Sequence, residues 1–577
     1  MPGNRFVRRS IPIPTFEEFS YRRPDLERFQ SEFRELLSKF DHAESPAAQN
    51  QIIAAVNRMR NEFQTMGTLV HIRHSMNTAD EYYDRENDYF DEIGPVYEGL
   101  VHQYYRSLTR SPFRPDLEKQ WGRQLFRLAE LQLKTFAPEI VEDLQQENKL
   151  SSQYTKLRAS AQIMFEGEPR NLSQMGPFLQ SPDRAVRKRA QEAFTGFFAE
   201  HEAEFDGIYD GLVKLRDRIA RKLGFPNFVE LGYARLSRSD YNPAMAAGYR
   251  RQVLESVVPL ATRLRQRQAR RLKLATLKYY DEPLEFLTGN ALPKGNPDWI
   301  VANGRKMYRE LSPETNQFFT FMVEAGLLDL VTRPNKAGGG YCTYIPEHRS
   351  PFIFSNFNGT SDDVDVLTHE AGHAFQVYLS RDYQLPEYIW PTLEACEIHS
   401  MSMEFLTWPW MKLFFETEEL KYKFAHLSGA LLFIPYGVTV DEFQHWIYEN
   451  PAATPAERKQ IWRIIERKYL PHRDYEDNDL LTRGGYWFRQ GHIFNDPFYY
   501  IDYTLAQVCA FQFWIRSRED RAAAWRDYLR LCRAGGSQAF LELVALAGLR
   551  NPFEPGCVQS VTGPIAEWLD SVDDMGL

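Results

Sequence analysis

The stretch NGTSDDVDVLTHEAGHAF, residues 358–375, joins a turn to a helix that carries two histidines. Its first two residues form a turn dipeptide, and Thr360 or Ser361 is predicted to cap the helix that follows. Aspartates in the first helical turn favour that start, because carboxylates are stabilised at the positive end of a helix dipole. On the helix, His369 and His373 are four residues apart and project from the same face. Both imidazoles can therefore reach one ion.

The pentad His-Glu-Ala-Gly-His, residues 369–373, is typical of a catalytic metal site. Glu370 lies between the histidines, close enough to contact a water held by the ion without binding the ion itself. In zinc proteases with this arrangement, the ion lowers the pKa of the water and the glutamate accepts its proton. The competing interpretation is a chance pentad on an ordinary helix, with a probability of roughly a few per cent in a chain of this size.

A catalytic zinc requires a third protein ligand and an open position. The segment PTLEACEIHSMSMEF, residues 391–405, has helical spacing, and three of its glutamates share one face: Glu394, Glu397 and Glu404. Apolar residues between these acids predict a buried helix, and buried acids need partners. The alternative is a solvated acidic face. Asp365, one turn before His369, either orients that imidazole or belongs to an exposed face.

One segment, KAGGGYCTYIPEHRSPFIFSNFNGTSDD at residues 336–363, has the composition of β-structure rather than of helix. Three consecutive glycines precede β-forming residues, which predicts one or two short strands closed by a turn. Residues 352–358 are expected to form either an edge strand that pairs with the substrate backbone or an ordinary core strand.

Helical spacing dominates the rest of the chain, notably residues 20–280 and 400–575. Apolar residues recur at helical steps from Leu26 to Phe40, directly after Pro24-Asp25, which is a helix-start signal. They recur again from Phe205 to Ile219, and Gly224 supplies a stop. The sequence therefore predicts a mainly α fold.

Composition excludes several classes of protein. The 577 residues are 43% hydrophobic, and the net charge of −9 comes from 78 acids and 69 bases mixed along the chain, which argues against a nucleic-acid partner. Five scattered cysteines without a CxxC pair predict neither a disulfide framework nor a thiolate zinc site. The first residues, MPGNRFVRRSIPIPTFEEF, contain no signal-peptide apolar run, and the apolar stretch at 429–438 is too short to cross a bilayer. A cytoplasmic protein without a membrane partner is expected.

Three blocks in order resemble a known family. Residues 358–375, followed by EACEIHSMSMEF at 394–405, are similar to the thimet-oligopeptidase family of zinc metallopeptidases, and most of all to its bacterial oligoendopeptidase F branch. In that branch the zinc-binding glutamate is followed seven residues later by a second glutamate, which Glu397 and Glu404 match. The resemblance extends to GGGYC at 338–342 and to GGYWFRQGHIFNDPFYYIDYTLAQ at 484–507, so it covers the C-terminal half specifically.

This resemblance implies a fold and a metal site. The fold is a large helical ellipsoid with a deep substrate channel and a small β-sheet next to the active-site helices. Residues 1–195 are then an N-terminal helical region forming part of the channel wall, and residues 196–577 are the catalytic region. One zinc ion per chain is held by His369, His373 and Glu397, with Glu370 as the catalytic base.

The resemblance also assigns roles around the zinc. Hydrolysis through an activated water develops an oxyanion, which an imidazole or phenol donor stabilises. His492, Tyr500 and Tyr503 are the candidates for this catalytic role. Tyr499 competes with them or contacts the substrate, with aromatic packing as its favoured alternative. Gly339 and Gly340 are expected to contact the substrate as well.

The sequence thus predicts a zinc-dependent endopeptidase that hydrolyses internal bonds of short peptides. The alternative enzyme is a metallocarboxypeptidase or dipeptidyl carboxypeptidase of related helical fold. The alternative from another class is a helical scaffold that merely contains the pentad, and it would hold no stoichiometric zinc.

Overall fold

The structure is a computed structural model that describes residues 14–577. The prediction that the N-terminal segment is no signal peptide concerns residues of which 1–13 lie outside this range. Strands are few, and the predicted mainly α fold is confirmed.

Among the described residues, fourteen α-helices precede the three-stranded sheet and eleven follow it. The first group is α1 Leu26–Asp41, α2 Pro46–Met76, α3 Glu81–Arg110, α4 Arg114–Trp121, α5 Arg123–Gln132, α6 Val141–Ala159, α7 Gly176–Leu179, α8 Arg184–Glu200, α9 Glu202–Lys222, α10 Phe228–Arg235, α11 Pro243–Ser256, α12 Val258–Arg271, α13 Pro297–Leu311 and α14 Pro313–Glu324. The second group is α15 Asp362–Ser380, α16 Leu393–Leu406, α17 Lys412–Phe415, α18 Glu419–Glu449, α19 Pro455–Tyr469, α20 Asp479–Arg483, α21 Gly491–Asn495, α22 Tyr500–Glu519, α23 Arg521–Ala534, α24 Phe540–Leu546 and α25 Cys557–Asp570.

Local signals set the ends of the two helices singled out in the sequence. The Asp25 carboxylate accepts a hydrogen bond from the backbone N–H of Arg28 at 3.0 Å, so it caps α1 as predicted. Helix α9 ends just before Gly224, which adopts a φ of 83° that a side chain would disfavour. Both predicted helices are confirmed.

Five short strands form two sheets in the described chain. Strands β1 Ile163–Phe165 and β2 Glu168–Arg170 make a small hairpin. The other three are β3 Leu328–Val331, β4 Tyr341–Ile345 and β5 Ser350–Phe357, in the order β3-β5-β4. Strand β5 pairs in parallel with β3 and antiparallel with β4.

The prediction of an edge strand at residues 352–358 is wrong, because β5 is the central strand. Its hydrogen bonds are taken on both sides, and most of its residues are buried, so it matches the alternative of a core strand. The exposed pairing edges belong to β3 and β4 instead. Strand β3 was not predicted at all.

Helix α15 begins at Asp362, and the predicted caps make no capping hydrogen bond. Ser361 occupies the N-cap position, but neither hydroxyl bonds to the helix amides. The Asp363 carboxylate accepts from the backbone N–H groups of Asn358 at 2.8 Å and Gly359 at 2.9 Å, and the Thr360 hydroxyl bonds to the Asn358 side chain. The turn is therefore fastened to the first turn of α15 by an aspartate.

Helix α16 packs against both α15 and α22 in the main core, and β5 packs on α15. Gly372 marks the closest approach of α15 and α16, since a Cβ there would lie 2.6 Å from the Cα of Ser400. A second core cluster joins α1 to α5 and includes Leu385 and Tyr388 from the C-terminal part. The division of the chain at residue 195, which lies within α8, stays a prediction.

One segment in the described part of the chain, Lys412–Glu449, is long and apolar enough to span a membrane by length and composition. Its most apolar window is 61% buried inside the protein. Helix α18, which makes up most of this segment, packs against α22, α19, α11 and α12. That packing is typical of a core helix.

Candidate active site

Three predicted metal ligands meet where α15 crosses α16. The Nε2 atoms of His369 and His373 lie 3.2 and 3.3 Å from Oε2 of Glu397. One ligand atom from each of the three residues lies within 4.8 Å of the other two. The side chain of Glu397 is only 1% exposed, and the charges of His373 and His369 hold its pKa well below the usual range against the effect of burial. Two imidazoles and one carboxylate are a donor set that suits zinc.

The ring of His369 is oriented by Glu404. Its Nδ1 atom lies 2.7 Å from Oε1 of Glu404, which leaves Nε2 directed at the ligand cluster. The other oxygen of Glu404 lies 2.8 Å from Nε2 of His426, and the indole N–H of Trp408 donates to Nδ1 of that ring at 3.2 Å. The carboxylate of Asp365 makes no hydrogen bond to the His369 ring. Its carboxylate accepts from the hydroxyl of Tyr422 instead.

Glu394 lies on the same helix as Glu397 but faces a different set of residues. One of its oxygens is 4.0 Å from the guanidinium of Arg238, which is paired with Asp502 at 2.6 Å. Glu397 instead contacts Tyr499, whose hydroxyl donates to Oε1 of the carboxylate. The ring of Tyr499 also stacks on Tyr503, with centroids 5.0 Å apart, as the packing alternative expects. The predicted contact of Tyr499 with the substrate stays a prediction.

Glu370 is buried beside the ligand cluster. Burial raises the pKa of its carboxyl, and Oε2 has no hydrogen-bond partner among residues 14–577. Oε1 lies 3.3 Å from the position that a Cβ on Gly340 would take. Gly340 therefore leaves the carboxylate accessible from the loop before β4. The neighbouring Gly339 has a φ of 91°, and its carbonyl accepts from the side chain of Asn356 at 2.8 Å.

His492 and Tyr503 form a pair at the start of α21 and in the first turn of α22. Nε2 of His492 lies 3.0 Å from the Tyr503 hydroxyl, and Gln490 Nε2 donates to Nδ1 at 2.8 Å. Gln490 is held in turn by Tyr436, whose hydroxyl donates to Oε1 of the amide at 3.0 Å. With Nδ1 accepting, the ring proton is on Nε2 and is donated to Tyr503. Burial lowers the pKa of His492 to about 4, so the ring is neutral at pH 7.

Tyr500, the remaining predicted donor, lines the same cavity as His492 and Tyr503. Its ring centroid lies 5.1 Å from that of His492 and 5.6 Å from that of Phe433. Tyr500 therefore has cavity access, while Tyr503 alone of the two tyrosines bonds to His492.

Two adjoining cavities lead to this cluster. The larger, of about 650 Å³, is lined by Glu404, His492, Tyr500 and Tyr503. The other, of about 460 Å³, is lined by Gly338, Gly339 and Asp362. The two cavities share seven lining residues, namely Gln180, Arg265, Glu282, Pro283, Asp362, Arg473 and Tyr486. The two cavities therefore adjoin and form a passage that borders the candidate site at Glu404, His492 and Tyr503.

Sequence reasoning missed several residues of this site. His426, Gln490 and Tyr436 were not singled out, because their partners are brought to them only by tertiary packing. Gln490 lies two residues before His492, and this closeness in sequence is the one local signal that could have identified it as a partner of that histidine.

Comparisons with known proteins agree with this fold. Residues 16–136 match the family model described as Peptidase M3 N-terminal domain, and residues 315–562 match Peptidase family M3. Oligopeptidase PepF of Bacillus subtilis (strain 168) is 22% identical over 411 residues, which are 69% of this chain and 59% of that protein. The chain thus spans about 59% of the length of this curated relative.

Solved structures give closer matches. One described as a putative oligoendopeptidase F is 64% identical, with a TM-score of 0.97 over 98% of this chain and 100% of that one. Another, described as PZ peptidase A with inhibitor 2, is 62% identical, with a TM-score of 0.97 over 97% of this chain and 100% of that one.

A mainly α fold with two histidines, a distant glutamate and a glutamate between the histidines is the arrangement of the helical HExxH peptidases. The chain belongs to peptidase family M3, and it resembles the oligoendopeptidase F-like proteins of that family.

Proposed function

We propose that this protein is a zinc-dependent endopeptidase that hydrolyses internal bonds of short peptides in the cytoplasm. The observation that carries the proposal is the convergence of His369, His373 and Glu397 beside the free carboxylate oxygen of Glu370. Family membership supports peptide substrates, and the five cysteines, all unpaired, fit a reducing compartment.

The residues of the cluster fit a zinc ion. Three neutral or anionic donors converge, and Glu404 fixes His369 with Nε2 free for a metal. When bound, zinc would polarise the scissile carbonyl and lower the pKa of a water molecule. Imidazole and carboxylate donors also accept cobalt and manganese.

Glu370 is the proposed general base. Burial raises the pKa of its carboxyl above the ordinary value, and the carboxylate lies beside the ligand cluster, where the attacking water would be held. The carboxylate of Glu370 accepts the proton of the attacking water, and it later donates that proton to the nitrogen of the leaving amine. Gly340 keeps the approach to this carboxylate open, which supports its proposed contact with the substrate.

Tyr503 is the proposed donor to the oxyanion. The ring N–H of His492 is directed at the Tyr503 oxygen, so the phenolic proton of Tyr503 is free to be donated into the cavity. A neutral imidazole is what this arrangement requires, and burial supplies it. Because the developing negative charge exists mainly in the transition state, this hydrogen bond accelerates turnover more than it tightens binding.

The proposal is tested with a metal analysis and a peptide digestion. Purified protein is expected to contain one zinc per chain and to cut a defined mixture of short peptides, with fragments read by mass spectrometry. Peptides with a blocked C-terminus should still be cut, whereas a carboxypeptidase or dipeptidyl carboxypeptidase would spare them.

The variant Glu370→Gln provides the matched control for this experiment. It should retain zinc and lose nearly all turnover, because an amide cannot accept the proton of the water. Near-normal turnover in this variant would remove Glu370 from the mechanism, and protein without zinc or hydrolysis would favour the scaffold.

A further inference from the structure

Two arginines in the smaller cavity have no acidic partner. Arg158 lies near the end of α6, and Arg489 ends the short helix Gly485–Arg489. In the described chain, neither guanidinium has a carboxylate oxygen within 4.0 Å. The Nε atom of Arg158 is buried without any hydrogen-bond partner. A guanidinium that is half-buried and unpaired carries a desolvation cost that a ligand anion would offset.

Other cations around this cavity are paired. Arg473 lies 3.1 Å from a carboxylate oxygen of Glu282, and Arg265 lies 3.6 Å from the same carboxylate. Lys336 lies 3.2 Å from Asp329. Arg158 and Arg489 therefore differ from their neighbours, and their charges are available to a ligand.

Aromatic rings hold both guanidinium groups in place. Arg489 lies over the rings of Phe194 and Tyr486, with centroid distances of 5.2 and 5.1 Å. Arg158 lies 5.7 Å from the ring centroid of Tyr154. Nη1 of Arg489 also donates to the Tyr486 hydroxyl at 3.4 Å. The remaining N–H groups of the two held guanidinium groups can bond to a carboxylate.

Arg158 lies beside both loops of the active site. A Cβ on Gly491 would be 3.3 Å from its Nη1 atom, and a Cβ on Gly338 would be 3.8 Å from its Nη2 atom. Gly491 directly precedes His492, and after burial the charge of Arg158 contributes to the lowered pKa of that histidine. Arg158 therefore lies between the segment that carries His492 and the glycine-rich loop before β4.

We propose that Arg158 and Arg489 form an anion subsite that binds a carboxylate of the peptide substrate. The inference rests on the proposed function, because it places a peptide in the passage. The carboxylate comes from the C-terminus of a short peptide or from an acidic side chain. Both sources present the same planar group to the same two guanidinium groups.

The subsite is tested by measuring peptide binding to a variant that does not hydrolyse the peptide. In the zinc-loaded Glu370→Gln protein, dissociation constants are measured by calorimetry for four peptides of one sequence. They carry a free or amidated C-terminus, combined with Glu or Gln at one internal position. The set of four is then repeated with that position moved along the peptide. Arg158→Met and Arg489→Met are introduced separately, and Arg28→Met, on the exposed face of α1, is the charge-matched control.

Each substitution should weaken the binding of carboxylate-bearing peptides roughly tenfold to a hundredfold, the range for hydrogen bonds to charged groups. The uncharged peptide, with an amidated C-terminus and Gln, should bind as before. If binding is weakened only for peptides with a free C-terminus, the bound group is the terminal carboxylate. If it is weakened only for peptides with Glu, the bound group is an acidic side chain. The Arg28→Met control should change none of the four constants.

Equal effects on all four peptides, or no effect on any, would overturn the subsite. Arg158→Lys keeps the positive charge but not the two parallel N–H donors of a guanidinium, so the loss of affinity should be smaller than for Arg158→Met. The lysine variant replaces Arg158→Met in the test if the latter fails to fold. A wild-type protein that cuts no peptide would refute the proposed function, whereas cutting without any dependence on these arginines would refute this inference alone.

Discussion

Replacing Gly372 with alanine tests whether the spacing of α15 and α16 builds the metal site. An added Cβ would lie 2.6 Å from the Cα of Ser400, 2.7 Å from the carbonyl oxygen of His399 and 3.0 Å from the Cβ of Met403. Carbon atoms in contact are normally about 3.5 to 4.0 Å apart, so the helices must separate by about 1 Å. The atoms in the way belong mostly to backbone and cannot rotate aside.

Two measurable losses follow from that separation. Overpacking of this kind costs about 1–3 kcal/mol of folding free energy, so the thermal unfolding midpoint should fall. The present distances of 3.2 and 3.3 Å from the imidazoles to Glu397 would change by far more than the about 0.2 Å that a metal site tolerates. Zinc affinity should therefore fall by at least about tenfold, as when a residue that orients a ligand is lost.

The assay pairs differential scanning fluorimetry with a competitive titration against a zinc chelator. Gly196→Ala in α8 is the matched control, because nothing lies within 4 Å of its added Cβ. Alanine is favoured over glycine in a helix by up to about 1 kcal/mol, so this variant should be as stable as wild type or slightly more so. If Gly372→Ala keeps both the wild-type midpoint and the wild-type zinc affinity, the close contact of the two helices does not set the ligand geometry.

Three further expectations concern the ligands, the donors and the passage. Glu397→Ala should lose zinc, measured by metal analysis, while Glu394→Ala should keep it, because Glu394 faces Arg238 rather than the histidines; the reverse result would place the third ligand one helical turn earlier. Tyr503→Phe and His492→Ala should each lower kcat by about a hundredfold with zinc retained and KM changed less, since the donor acts mainly in the transition state; an unchanged kcat in both would return these residues to the aromatic core. Short peptides should be cut while folded or long denatured proteins stay largely intact, and rapid fragmentation of a denatured casein-like protein in gel analysis would instead indicate an open cleft.

Local chemistry made part of the fold predictable. Asp25 and Gly224 mark helix ends through interactions within a few residues, so the sequence predicted α1 and the end of α9. Strand β3 was missed because a four-residue segment has almost no periodicity, and it is held by parallel pairing with β5 about 25 residues further on. The central position of β5 depends on that same unseen partner.

The candidate site was likewise predictable only in part from the sequence. The spacing of His369 and His373 predicted that they share a helix face, and they do. The choice of Glu397 over Glu394 came from the family resemblance, because the two residues are three apart on one helix and periodicity does not separate them. The contact of Glu404 with His426 joins two helices, and no spacing rule predicts such a contact.

The crossing of α15, α16 and α22 has a consequence for the life of the chain in a cell. The histidines, the third ligand and the tyrosine donor come from three helices spread over residues 362–519, and only their mutual packing brings them together. A newly made or damaged copy in which these helices have not met carries the motif but has no assembled centre. The proposed peptide hydrolysis therefore depends on tertiary folding, because no one of the three helices contains the whole candidate site.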